Sequence, residues 1–324
     1  MPAGRVFLCV TVDCECDKGP AWRTRRPLAF EGVHVGIAER LQPLFRATGA
    51  KPTYLLSPEL LRDAGCVERL GALEDCELGA HLHGELAEPG AFEPEVTDAV
   101  QRDYPPDVER AKLASLTASF RSAFGRAPTS FRAGRFGVGA HTIALLEELG
   151  YTVDSSVTPH MDWSDVSPGL SFRDAPAQPY HPDRGDAGRP GTSRLLEVPV
   201  TILPSALSRV PVLGRHVEPR WLRPTRTSGD DLVAIAREAV VEARRASPER
   251  PVVLNAMFHN VEVVAGTSPY AATDAEALRI VDRLRVLLQM ARHEGIAGIG
   301  LSDVPDMLAG GPVSRESDPT PGSR

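Results

Sequence analysis

The chain has 324 residues, a formal net charge of −7, 42% hydrophobic and 24% charged residues, a balance ordinary for a globular protein of one large or two ordinary domains. No basic tract suits nucleic acid, no apolar stretch nears the roughly 20 residues of a membrane span, and the short run 6–12 leads into Asp13 rather than a signal-peptide cleavage site. Five cysteines suit a reduced chain better than a disulfide framework, so a cytoplasmic protein is expected.

In chain order, residues 5–12 read as a β-rich apolar run of the kind buried in a parallel sheet. Residues 33–48 follow as a helix, with Val33, Ile37, Leu41, Leu44 and Phe45 on one face and Gly49 as its stop. A strand at 53–56, a helical stretch from Pro58 and a strand at 76–80 come next. Residues 107–124 form an amphipathic helix, 129–132 a strand, 141–149 a helix ended by Gly150, and 151–154 a strand. The segment 158–194 holds six prolines and four glycines without periodicity, and is expected to be an irregular insert bordering the site. Regular structure resumes with a strand at 195–203, a helix at 230–246 and a strand at 252–257. Thr273 and Glu276 form a capping box for a helix running to His293, and 296–301 is the last strand. Seven or eight β/α units imply one barrel-like α/β domain over 1–309, with a disordered Gly/Pro/Ser-rich tail at 310–324.

Three of these strands end in chemistry-bearing residues. Asp13 and Glu15 share i, i+2 spacing, so an extended backbone aims both carboxylates into one pocket. His81 and His83 repeat that spacing after the third strand, and His259 follows the run 251–258. Strand C-terminal ends are where α/β folds gather their sites. Two acids and three imidazoles are the parts of a mononuclear metal hydrolase, since two neutral imidazoles and a carboxylate leave positions open for water and substrate. Cys14 and Cys16 point the opposite way on an extended strand, and no second cysteine pair stands at zinc-ribbon spacing. Alone, each cluster also fits solvated loop carboxylates, surface histidines or a hydrogen-bonded core histidine.

With these residues in view, the chain resembles the polysaccharide deacetylases, or family 4 carbohydrate esterases, from about residue 5 to 304. Thr11-Val-Asp13-Cys-Glu15 resembles the first motif of that family, and Glu77-Leu-Gly-Ala-His81-Leu-His83 its metal-binding motif. Phe131-Arg132-Ala-Gly134-Arg-Phe and Met257-Phe-His259 resemble the third and fifth, while Leu196-Glu-Val-Pro199 and Trp221-Leu-Arg-Pro224 look like accompanying segments. The resemblance implies a distorted (β/α) barrel that binds one divalent ion, zinc first among first-row metals, and removes acetyl groups from N-acetylated sugars or glycan precursors. It implies Glu15, His81 and His83 as ligands, Asp13 as base, Arg132 as the residue orienting it, and His259 as acid supported by Asp154. Two departures stand out. Position 85, where the family commonly has a second histidine ligand, is Glu85, the fallback for His83, and Asp162 competes with Asp154 for the fourth motif. Hydrolysis of a non-sugar C–N bond, in an acylated amine or cyclic amide, and a binding-only barrel are the competing functions.

Overall fold

The first apolar run becomes the central strand of a curled sheet. The computed structural model describes residues 5–311 apart from 25, 91, 94, 95, 97, 98 and 206–217, so the expected tail lies outside the described residues from 312 onward. β1 (Val6–Cys14) pairs along one edge with β9 (Val252–His259). Its other edge meets β10 (Ala297–Gly298) near its start and β2 (Thr53–Leu56) near its end. β3 (Glu77–Leu82), β4 (Ser130–Ala133), β5 (Val153–Asp154) and β6 (Leu196–Glu197) continue from β2. All eight strands run parallel.

Beyond β6 the sheet bends back towards β9. The Thr201 N–H donates to the Asn255 carbonyl at 2.9 Å, and the Asn255 amide donates to the Val198 carbonyl at 3.1 Å. The result is a distorted (β/α) barrel, the expected fold. The strand expected over 195–203 is split here. Pro199 has no N–H to continue the ladder, so the chain turns and forms β7 (Ile202–Leu203), antiparallel to β8 (Arg220–Trp221).

Side chains of period 2 fill the barrel in layers. Phe7, Cys9, Leu55, Val153 and Val253 form the apolar floor. Above them lies a polar layer in which Thr11 donates to Asn255 Oδ1 at 3.0 Å. Asp13 and His259 come next, as register partners on β1 and β9. One chain repeat along two adjacent strands thus carries the interior from core to chemistry.

The helices cover the outside: α1 (Gln42–Thr48), α2 (Ala64–Gly71), α3 (Pro106–Phe124), α4 (Thr142–Leu149), α5 (Gly229–Ala246), α6 (Asp274–His293) and α7 (Val304–Leu308). Residues Gly32–Leu41, expected to be α-helical, are wound as a π-helix running into α1. Val33, Ile37 and Leu41 recur every four residues, a spacing that the wider π turn keeps on one face, and all three are buried. The capping box of α6 forms as expected, between Thr273 and Glu276. The largest apolar cluster joins this face to α5 and α6, and truncating one of its members, Phe45→Ala, would cost about 3–5 kcal/mol. The segment 158–194 lacks named strands and helices, and isolated bridges such as Asp162 to Ser171 pin it.

Candidate metal centre and active site

The pocket at the C-terminal ends of the strands takes Asp13 and Glu15 from β1 and its exit, His81 and His83 from β3 and its exit, and His259 from β9. Asp13, Glu15, His81 and His83 are all buried. Glu15 Oε1 lies 3.6 Å from His81 Nε2, 3.2 Å from His83 Nε2 and 3.8 Å from His259 Nε2. Glu15, His81 and His83 each offer a donor atom, all within 4.8 Å of one another.

The other ring nitrogens are engaged, which sets the donor atoms. His81 Nδ1 lies 2.9 Å from the Arg132 carbonyl, so it carries the proton and leaves Nε2 bare. His83 Nδ1 lies 3.2 Å from Glu85 Oε1, which also accepts from Arg135 at 2.8 Å. Glu85 therefore stands behind His83 rather than beside Glu15. Gly134 makes room for this: a Cβ there would sit 2.6 Å from the Leu82 carbonyl oxygen and 3.0 Å from the His83 ring. The next two residues, Arg135 and Phe136, both adopt φ of 55°, the kind of backbone strain that clusters at functional sites.

Asp13 and Arg132 form the base of the pocket. The guanidinium is wholly buried and donates to Asp13 Oδ1 at 2.7 Å, to Thr11 Oγ1 at 2.8 Å and to the Ser155 carbonyl at 2.7 Å. Burial opposes ionisation of Asp13, yet Arg132, with His81 and His259, holds its carboxyl below the usual range. Its second oxygen, Oδ2, is 4.0 Å from the Nε2 atoms of both His81 and His259. Asp13 is thus an ionised acceptor facing the same space as the three donors.

The carboxylate expected behind His259 was Asp154; it is Glu262 that sits there, with Oε1 2.8 Å from His259 Nδ1. Asp154 lies opposite Glu197 between β5 and β6 and accepts from Ser156 Oγ at 2.6 Å. Asp162 is a loop residue bonded to Ser164 and paired with Arg173 at 2.9 Å. The physical reason is reach: Asp154 ends a two-residue strand that pairs with its neighbours, while a single turn brings Glu262 under His259.

Sequence reasoning missed Glu262, Lys18, Arg223, Trp22 and Tyr270. Glu262 is three residues from His259, and Lys18 three from Glu15, but single charged residues on loops carry little signal without geometry. Arg223 lay in a noted segment without a role. A cavity of about 300 Å³ opens above the acids. On one side the Trp22 ring meets His259 edge-on at 5.0 Å and Tyr270 at 5.5 Å. On the other, Phe136 stacks on Trp163 at 5.5 Å, and both reach Trp221. Trp163 is the residue through which the irregular insert borders the pocket.

Among the described residues one other group has metal-ligand spacing, His34, Asp63 and Cys66, but Asp63 is occupied capping α2 through the Cys66 N–H. Cys14 and Cys16 are buried, with thiols pushed up by burial, and belong to no such group.

No sequence-family profile matches the chain, and no curated protein does. Solved structures match over nearly its whole length. A Mycobacterium smegmatis protein described as a polysaccharide deacetylase is 18% identical, with a TM-score of 0.54 over 98% of this chain and 96% of its own. A glycoside hydrolase/deacetylase described from Parabacteroides distasonis is 11% identical, with a TM-score of 0.62 over 94% of this chain and 71% of its own. An allantoinase is 16% identical, with a TM-score of 0.53 over 94% of this chain and 91% of its own. At these identities the likeness is one of fold.

Proposed function

We propose that the chain is a metal-dependent hydrolase that removes the acetyl group from an N-acetylated sugar or glycan precursor, cleaving a linear amide C–N bond in the cytoplasm. The observation carrying this reading is the meeting of three potential ligand atoms, from Glu15, His81 and His83, beside the buried Asp13–Arg132 pair.

The donor set fits a divalent first-row ion, with zinc the best match. Two imidazoles with their outer nitrogens engaged, and one carboxylate, are a common hydrolytic zinc set with positions left open. Such an ion, held by Glu15, His81 and His83, would acidify a water and polarise the acyl carbonyl.

The protein's own groups do the rest. Asp13, held ionised and aimed by Arg132, takes the proton of the attacking water. Glu262 holds His259 by Nδ1, so its Nε2 faces the pocket and delivers a proton to the departing amine. Amines leave poorly without that proton. Trp22, Tyr270, Phe136 and Trp163 offer apolar faces against which a sugar ring can lie. Acetate and a free amine result.

Acetate release by the zinc-loaded protein, across a panel of N-acetyl sugars and acylated amines, tests this. Release from a sugar, lost on chelation and restored by zinc, is the expected result; no release from any member refutes it. A second reading, hydrolysis of a cyclic amide, draws on the fold-wide likeness to an allantoinase. Turnover of cyclic ureides with none of N-acetyl sugars would favour it. A barrel that only binds carbohydrate is the least economical reading, since it needs neither Asp13 nor His259 in place.

A further inference from the structure

Resting on the deacetylase reading, we propose that Glu262 is the positioning residue of the proton donor and that Arg223 and Thr225 complete a clamp fixing His259 in one tautomer and one orientation.

The local backbone places the pair. After β9 the chain makes a single 3-10 turn, Asn260–Val263. With three residues per turn, side chains at i and i+3 lie on one face, so Glu262 comes under His259. Asn260 ties this turn to the neighbouring acid: its Oδ1 accepts from the Glu15 N–H at 2.9 Å and its Nδ2 donates to the Glu15 carbonyl at 3.0 Å.

Glu262 is fully buried, and an unpaired carboxylate there would be costly. Both its oxygens are used. Oε1 accepts from His259 Nδ1 and Arg223 Nη2, and Oε2 accepts from the Thr225 hydroxyl. The short segment after β8 thus supplies two of the three groups bonded to this carboxylate, and His259 is the third. With Nδ1–H committed, the ring cannot flip without breaking a charge-assisted bond, and Nε2 stays directed at Asp13 and Glu15. The edge contact with Trp22 limits rotation from the other side.

The test uses the full, zinc-loaded chain. Nitrogen-15 NMR of the histidines, with the His259 signals assigned by loss in His259→Gln, reads the tautomer without needing activity. A proton on Nδ1 is expected, whether or not Nε2 also carries the one it delivers, and a ring protonated at Nε2 alone would overturn the clamp. In kinetics, Glu262→Ala should lower kcat on an N-acetyl amide about 10²-fold, within the range a general acid supplies, with KM little changed. Hydrolysis of an activated aryl acetate, whose leaving group needs no proton, should hardly change. Glu262→Gln keeps an acceptor and should recover part of the loss; Thr225→Val, the mildest change, should shift the amide-to-ester ratio in the same direction. Equal losses on both substrates, or none on the amide, would overturn the assignment. Absence of acetate release by the unaltered protein would defeat the deacetylase reading instead, and the tautomer would still decide the clamp.

Discussion

Lys18 Nζ lies 2.8 Å from Glu15 Oε2, and both side chains are almost wholly shielded from water. Burial opposes ionisation of Glu15, but Lys18 first, then His83, hold it well below the usual carboxylate range. The ammonium occupies one oxygen and leaves Oε1 to face the imidazoles. A backbone turn fixes the lysine: the Lys18 and Gly19 N–H groups both donate to the Thr267 carbonyl. Lys18 thus orients a ligand without touching the ligand position itself.

Lys18→Met should therefore weaken metal retention, with ~10–100-fold the usual effect of losing a group behind a ligand. Competition against a chromophoric chelator measures it. Unchanged affinity would reduce Lys18 to a neutraliser of buried charge.

Asp13→Asn keeps shape but cannot take a proton. Turnover should fall by at least the ~10²–10⁴-fold of a lost general base while the metal stays bound, whereas Glu15→Ala should lose metal as well. Metal analysis beside kcat separates the roles, and metal loss on Asp13→Asn would reverse them. Removing the partner is a stability experiment: Arg132→Met strands a buried carboxylate and should cost about 3–5 kcal/mol in denaturant unfolding.

The barrel and most of this site were legible because strands read from short apolar runs, and the residue ending each run points into the pocket. Asp13, Glu15, His81, His83 and His259 share that property. Glu262 does not: it follows a strand by one 3-10 turn, whose direction no periodicity announces. The supporting carboxylate was sought at Asp154, which also ends a strand, but the interior there is occupied by the Arg132 and Ser155 network. The π winding before α1 was hidden for a different reason, since apolar residues four apart suit an α-helix and a π-helix alike. The split of 195–203 was foreseeable from Pro199 alone.

His83 makes the ligand question pH-dependent. In the metal-free protein burial opposes its protonation, but Glu15 and Glu85 outweigh it and raise its pKa to about 9. The folded value exceeds the ordinary 6.5, so its stabilising contribution is complete below pH 6.5 and is lost as pH rises through about 9. Metal-stripped protein should lose Tm over that window more steeply than His83→Gln. A ligand must be neutral, so zinc uptake at neutral pH should release the His83 proton, read by calorimetry in buffers of different ionisation enthalpy. Metal retained in His83→Ala but lost in Glu85→Ala would exchange the two residues' roles.

The last prediction concerns the carboxylate displaced from the expected role. Asp154 and Glu197 face each other across β5 and β6, both fully buried. Burial lifts Asp154 above the usual carboxylate range, and burial with the Asp154 charge lifts Glu197 well above it, so the pair holds a proton at a pH where free carboxyls would have lost it. The folded state thus binds protons more tightly than the unfolded chain, and stability is lost as pH rises through the raised values. Glu197→Gln keeps an acceptor for the Val157 N–H, which now donates to Glu197 Oε1 at 3.0 Å, and removes the second charge. Its Tm should exceed that of the unaltered protein by about 1–2 °C at pH 8, the shift that ~1 kcal/mol gives in a chain of this length, and the gap should close at pH 5. Asp154→Asn should leave the ratio of amide to aryl-ester hydrolysis unchanged, because His259 rests on Glu262. A selective loss on the amide would return Asp154 to the support of His259 and remove Glu262 from it.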